Sequence, residues 1–400
     1  MNERGVTRRA ILKSAWSATT LALPGMVGTT SPSQASDGPL QPEERDAISD
    51  VAHAYMAEFN IPGLSVAIAK DGEIVYAEGF GVVSRLLETR VNPSHLFRVA
   101  SISKPITAVG VFSLVEQGRL RLADRVFGEH CVLSEYQLPA NDQFIGEITV
   151  DHLLTHTVGG WDNTKNDPTF AHQDMDHRHL IAWTLDNLPL SQQPGTRYAY
   201  SNFGYCLLGR VIEKITGQAY ADYVRRSVLE PSQIQGMRIA GNSLQDRADG
   251  EVIYHRQEDD RLPYSMNVAR KDSHGGWLAS PRDLVRFINH VYGTAQNPAI
   301  LKAETVFAMT TPPAVHRGYA RGWFVTEPNR WHGGSLPGTS AIMVHTPSGL
   351  CWAALANSRD RFSRSVLGLD RAVWNMVRKV KAWDAAIAAC TRKNGWCTRP

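Results

Sequence analysis

Ser101-Ile102-Ser103-Lys104 places a hydroxyl and an amine three residues apart at the start of a run with helical spacing. Residues i and i+3 share a helix face, so the Ser101 and Lys104 side chains can meet. A serine hydroxyl becomes a good nucleophile only when a base removes its proton. Lysine can be that base only if its pKa falls by about 3 units, roughly 4–5 kcal/mol. Burial or a neighbouring positive charge must supply that shift. A second cluster is rich in imidazole: His152, His156, His172, His177 and His179, with Asp174 and Asp176 nearby. These histidines raise a metal-dependent hydrolase as a rival, against scaffold and surface roles, which are the favoured reading.

The surrounding elements must position these groups. Gln41 to Asn60 carries Ile48, Val51, Ala52, Tyr55 and Met56 at helical spacing. Leu64–Ala69 and Ile74–Ala77 read as a hairpin turning at Asp71-Gly72. Ser101 to about Gln117 reads as a helix ending near Gly118, with Pro105 in its tolerant first turn. Helical patterning resumes from Asn202 to Val228. Gly322–Val325, Ala341–Val344 and Cys351–Leu355 read as strands, and a last helix is expected from Ser363 to Ala388. Strands at both ends with helices between predict an α/β (α+β) fold. Its antiparallel sheet is made from both chain ends and flanked by helices, with a mostly helical insertion at about residues 120–275.

Five segments, in order, resemble the penicillin-recognising serine hydrolases, in the branch of class C β-lactamases, DD-peptidases and esterases. They are Phe97–Ala108 around Ser101, Asp151–Thr157, Tyr200-Ser201-Asn202, Gly275–Ser280, and Trp331–Gly338. The resemblance spans about residues 45–375 and implies a β-lactamase/transpeptidase-like fold. It implies Ser101 as nucleophile, with Lys104 and Tyr200 sharing the base role. Tyr200 beside an ammonium is expected to be drawn towards phenolate, the two titrating as a coupled pair. Asn202 is expected to hold Lys104 and the substrate carbonyl side. The backbone N–H groups of Ser101 and Ser335 would form the oxyanion hole, with Gly333 and Gly334 giving substrate access to the strand edge. His332-Gly333-Gly334 departs from the Lys-Thr-Gly usual in the family's β-lactamases. An imidazole without a following hydroxyl implies weaker carboxylate recognition, closer to esterases, D-aminopeptidases and some DD-peptidases. Hydrolysis of an ester, amide or short peptide is therefore the expected activity, with β-lactam hydrolysis the alternative. No metal or other cofactor is implied. A non-catalytic peptidoglycan- or acyl-binding protein on the same scaffold is the remaining rival.

The 400 residues are 43% hydrophobic and 20% charged, as in ordinary globular proteins. Arg4, Arg8, Arg9 and Lys13 against Glu3 account for the whole net charge of +3. The remainder is neutral, which argues against nucleic-acid binding. Residues 1–35 have a basic start with paired arginines, an apolar middle and Ser33-Gln34-Ala35, the layout of a twin-arginine-type secretory signal. The expectation is a periplasmic or secreted bacterial protein without a stable membrane span once the leader is removed. The hydrolase domain would occupy residues 36–388, with a tail at 389–400. Cys390 and Cys397 are candidates for a small disulfide loop, while Cys131, Cys206 and Cys351 read as buried small hydrophobes. Trp161, Trp277, Trp323 and Trp331 read either as pocket lining or as core. Arg98 reads as structural.

Overall fold

A computed structural model describes residues 40–388 except 141–142, 166, 257–258 and 385–386. The leader and the Cys390–Cys397 pair lie outside the described residues.

The first helix, α1 (Pro42–Glu58), leads into β1 (Gly63–Lys70) and β2 (Glu73–Ser84). Asp71 and Gly72 both have positive φ in the turn between these strands, as the Asp-Gly pair predicts. The short β3 (Leu87–Arg90) follows β2, and β4 (Phe97–Arg98) precedes a 3₁₀ turn, Ala100–Ile102, and helix α2 (Ser103–Glu116). Helices α3 (Val150–Leu154), α4 (Pro168–Ala171), α5 (His177–Asn187), α6 (Asn202–Thr216) and α7 (Tyr220–Val224) make up the helical part. Short strands β5 (Arg238–Ile239), β6 (His255–Arg256) and β7 (Trp277–Ala279) precede α8 (Pro281–Tyr292) and α9 (Ala303–Thr310). The chain closes through β8 (Phe324–Thr326), β9 (Asn329–Leu336), β10 (Thr339–His345), β11 (Leu350–Ala356), β12 (Ser358–Arg359) and α10 (Arg364–Val377).

The main sheet runs β3-β2-β1-β11-β10-β9-β8 and is antiparallel throughout. Its centre joins the two chain ends, with Leu64 opposite Ala356 and Ala67 opposite Ala353. Strand alternation sends Leu64, Val66, Ile68, Trp352 and Ala354 into a core with residues of α1 and α10. The other face turns Ala67, Ala69, Ala353 and Leu355 into a larger core with α2, α6 and α8. The expected fold class is therefore the observed one.

Two elements are shorter than their patterns suggest. The final helix stops at Val377 and gives way to a 3₁₀ turn at Lys381–Trp383, not a continuous helix to Ala388. The Asn202–Val228 pattern is cut after Thr216 because Gly217 takes a left-handed conformation. No helix among the described residues is long and apolar enough to cross a membrane.

Candidate active site

The serine sits where a strand becomes a helix. β4 pairs with β7, and the Val99 N–H donates to the Trp277 carbonyl of that strand, so the approach is held along β7. Arg98 is structural, as expected. Its guanidinium is buried, donates to the Pro263 and Gly241 carbonyls and lies over the Tyr254 ring. Ala100 adopts φ +50°, a left-handed turn that L-residues enter at roughly 1–2 kcal/mol. The chain then enters α2, which is buried on nearly all sides. Ser101 stays half-buried, while Lys104 on the next turn is 0% exposed.

Lys104 Nζ lies 3.1 Å from Ser101 Oγ. It also donates to Asn202 Oδ1 at 2.8 Å and to the His274 carbonyl at 3.0 Å. Burial drives its pKa well below the ordinary lysine value, with the charge on Asp167 only partly opposing. Lys271, itself buried, adds to the lowering. The enclosure thus favours the neutral amine, the form that can accept a proton.

Tyr200 and Asn202 straddle the start of α6, capped by the Ser201 hydroxyl, which accepts from the Gly204 N–H. The loop after α3 grips this segment: Ala199 N–H donates to the His156 carbonyl, Ser201 N–H to His156 Nδ1, and Asn202 N–H to Asn163 Oδ1. This accounts for the recurrent Asp151–Thr157 segment as scaffold. The Tyr200 hydroxyl is buried and has no well-formed hydrogen-bond partner among the described residues. Lys104 Nζ stands 4.8 Å from the Tyr200 ring centroid. Burial pushes the phenol well above its ordinary pKa, although the neighbouring Ser101 hydroxyl works the other way. Burial thus works against the expected drift towards phenolate, since it disfavours both the Tyr200 anion and the Lys104 ammonium that would stabilise it.

β8 pairs with β9 only as far as Trp331, so the stretch from His332 to Leu336 has no strand partner on that side among the described residues. This stretch packs against the Ala100–Ile102 turn. A Cβ on Gly334 would sit 2.2 Å from the Val99 carbonyl oxygen. Approach of the protein's own backbone therefore requires that glycine, whereas Gly333 has ordinary room. Ser335 Oγ accepts from Arg359 at 2.9 Å. His332 is fully buried. Its Nδ1 donates to the Gly333 carbonyl at 2.7 Å, which leaves Nε2 to accept from the Tyr319 hydroxyl at 3.2 Å. Burial holds its pKa down at about 3, so the ring is neutral and both nitrogens are occupied. As a substrate-contacting side chain His332 is misplaced: it stands among the Tyr200, Tyr319 and Phe324 rings.

Several groups at the site carried no signal in the sequence. Asp167 is one: Asn202 Nδ2 donates to its Oδ2 at 2.7 Å. The Asp167-Pro168 pair reads locally as a helix cap, which it also is. The His274 carbonyl and Tyr319 reach the site only through the fold. The other histidines are dispersed: His152 caps α3, His177 bonds the Arg270 carbonyl, His179 pairs with its cap Asp176, and His172 lies against Trp183. Trp161 lines a cleft of ≈ 190 Å³ with Asp162, Arg197 and Ala199, whereas Trp277 and Trp323 are core. Trp331 stacks on Phe324. Cys206 and Cys351 are buried free thiols, while Cys131 is partly exposed.

A model of the Beta-lactamase family matches residues 48–372. A penicillin-binding protein of Bacillus subtilis (strain 168) is 28% identical over 312 residues, covering 70% of this chain and 64% of that protein. The chain thus spans less than two thirds of that relative's length. Among solved structures, the octameric penicillin-binding protein homologue from Pyrococcus abyssi is 26% identical with a TM-score of 0.65, covering 78% of this chain and 73% of that one. The D-amino acid amidase from Ochrobactrum anthropi SV3, solved with L-phenylalanine amide, shares the fold at a TM-score of 0.70 and 21% identity, covering 85% and 99%.

Proposed function

The chain belongs to the beta-lactamase family, and on that premise we propose that it is an exported serine hydrolase that opens esters, amides or short peptides through an acyl-enzyme on Ser101. The observation that carries this reading is the buried Lys104 amine 3.1 Å from Ser101 Oγ, in surroundings that lower its pKa. As Oγ bonds the substrate carbonyl carbon, its proton passes to Lys104 Nζ and the carbonyl electron pair moves onto oxygen. The Ser101 and Ser335 N–H groups receive that oxyanion. Collapse restores the carbonyl, and the leaving oxygen or nitrogen takes the Tyr200 proton as its bond to carbon breaks, departing as an alcohol or amine; Lys104 then returns its own proton to the phenolate. Water repeats the sequence, giving one proton to Lys104 as its oxygen bonds carbon. The departing Ser101 Oγ recovers that proton and the acid is released.

A neutral His332 supplies no cation for a substrate carboxylate, which favours simple esters and D-amino acid amides over β-lactams. Residues 36–388 form the hydrolase domain in this reading, and the leader pattern at 1–35 places its work outside the cytoplasm. The test is turnover of p-nitrophenyl esters, D-amino acid amides, D-Ala-D-Ala peptides and nitrocefin under one condition, with fluorophosphonate labelling in parallel. Ser101→Ala should abolish both turnover and labelling while leaving the melt near that of the native chain. Persistent labelling of that variant would refute the assignment.

A further inference from the structure

A neutral primary amine has two N–H donors and one lone pair, and Lys104 Nζ has three polar neighbours to share them among. The His274 carbonyl, 3.0 Å away, can only accept. Ser101 Oγ, at 3.1 Å, can do either. The third neighbour is the Asn202 carboxamide, whose two ends are nearly isosteric and opposite in polarity. If its oxygen faces Lys104, both amine hydrogens go to acceptors and the lone pair is left for Ser101. If its NH₂ faces Lys104, that group takes the lone pair and the amine must donate to Ser101, which makes it useless as a base.

We propose that Asp167 is a positioning residue that locks the Asn202 amide oxygen towards Lys104 and so turns the amine's lone pair onto Ser101. The inference rests on the acyl-enzyme reading above. A carboxylate accepts only, so Asp167 Oδ2 at 2.7 Å demands the NH₂ end of Asn202, and the oxygen is left for Lys104 at 2.8 Å. Asp167 is itself fixed, because its Oδ1 accepts from the Thr169 N–H at 2.9 Å and the Thr169 hydroxyl at 2.7 Å. Thr169 is buried, and its carbonyl accepts from Arg270 and Lys271. The direction of the hydrogen bonds is thus set two side chains away from the nucleophile. Asp167 also opposes the lowering of the Lys104 pKa, so its removal has a second readout in the pH profile.

The experiment measures the rate of Ser101 phosphonylation by a fluorophosphonate, with loss of fluoride, against pH for the full-length chain and three variants. Asp167→Asn keeps an oxygen for Thr169 but points an NH₂ at Asn202, driving that amide to reverse. Its plateau rate should fall about 100-fold and its acidic limb should move to lower pH, with the melt close to that of the native chain. The exchange Asp167→Asn with Asn202→Asp restores an acceptor-only group facing Lys104. Above an acidic limb that the adjacent carboxylate moves to higher pH, it should recover at least about tenfold over the single variant. Asp167→Ala, which removes cap and lock together, should be as slow as Asp167→Asn. A purely capping role predicts the opposite order, with Asn near native and Ala impaired. That order, or an exchange variant no faster than Asp167→Asn, overturns the inference. Labelling that survives Ser101→Ala overturns the hydrolase reading instead, so the two failures are distinct.

Discussion

Lys104 and Arg210 are both basic side chains taken out of water in the helical half of the fold, and both are held by the same turn, residues 271–274. Arg210 donates to Asp272 Oδ2 at 2.7 Å and its Nε stands 2.8 Å from Glu213 Oε2. Burial works against its charge, but its anionic surroundings, Asp272 foremost with Glu213, together outweigh burial and keep the guanidinium ionised. Burial likewise pushes Asp272 up, yet Arg210 and His177 hold it down at about 2. Lys104 meets only neutral acceptors, with its nearest carboxylate, Asp167, standing behind Asn202. Lys271 falls between the two: burial lowers it to about 8, with Asp167 acting in the other direction. A carboxylate in direct contact preserves a buried charge for scaffolding, whereas one placed a side chain away lets the charge go and leaves a base.

One substitution type, cation to methionine, separates the two regions. Lys104→Met should reduce the rate of fluorophosphonate labelling by on the order of 10³–10⁴-fold, and Lys104→Arg by as much, because guanidinium cannot accept the proton. An active Lys104→Arg would mean that charge, not proton transfer, matters at this site. Gly334→Ala should follow at about 100-fold in acylation, since its Cβ forces β9 away from Val99 and displaces the Ser335 N–H.

In stability the order reverses. Arg210→Met should destabilise by roughly 3–5 kcal/mol in urea titrations, leaving Asp272 buried without its guanidinium, while Lys104→Met should stay within about 1 kcal/mol of native. The pH dependence has a definite sign. Asp272 has a folded pKa below its unfolded value of ~3.9, so its contribution is present above that value and lost as pH falls through about 2. In Arg210→Met the unpaired carboxyl has a raised folded pKa and is relieved by acid. The stability gap between native and variant should therefore narrow from pH 5 downward; a constant gap would dissolve the contrast. Native acylation should rise as pH passes the lowered Lys104 pKa and level off well below 10.5. The smallest effect belongs to His179→Ala, within about 0.5 kcal/mol, since His179 is largely exposed; ester turnover should also be indifferent to chelator in both proteins.

Much of this site was legible along the chain. The Ser101–Lys104 spacing is local, and so are the Asp71-Gly72 turn and the alternation that fills both faces of β1 and β11. Asp167 was not legible, because its cap for α4 is all that neighbouring residues require. Its second oxygen meets Asn202 across 35 positions. The protonation of Tyr200 and His332 was misjudged or left open for the same reason: desolvation is a property of the enclosing volume, not of the adjacent letters.

By itself the sequence determined which groups could react and which strands and helices carry them, since spacing and periodicity are short-range quantities. It also marked the chain ends as partners, through two sets of apolar strands. The tertiary structure alone decided which buried groups keep their charge, which way the Asn202 amide points, and why position 334 has no room for a side chain. Those outcomes depend on electrostatic and steric contacts between residues tens to hundreds of positions apart, which exist only after the sheet has closed.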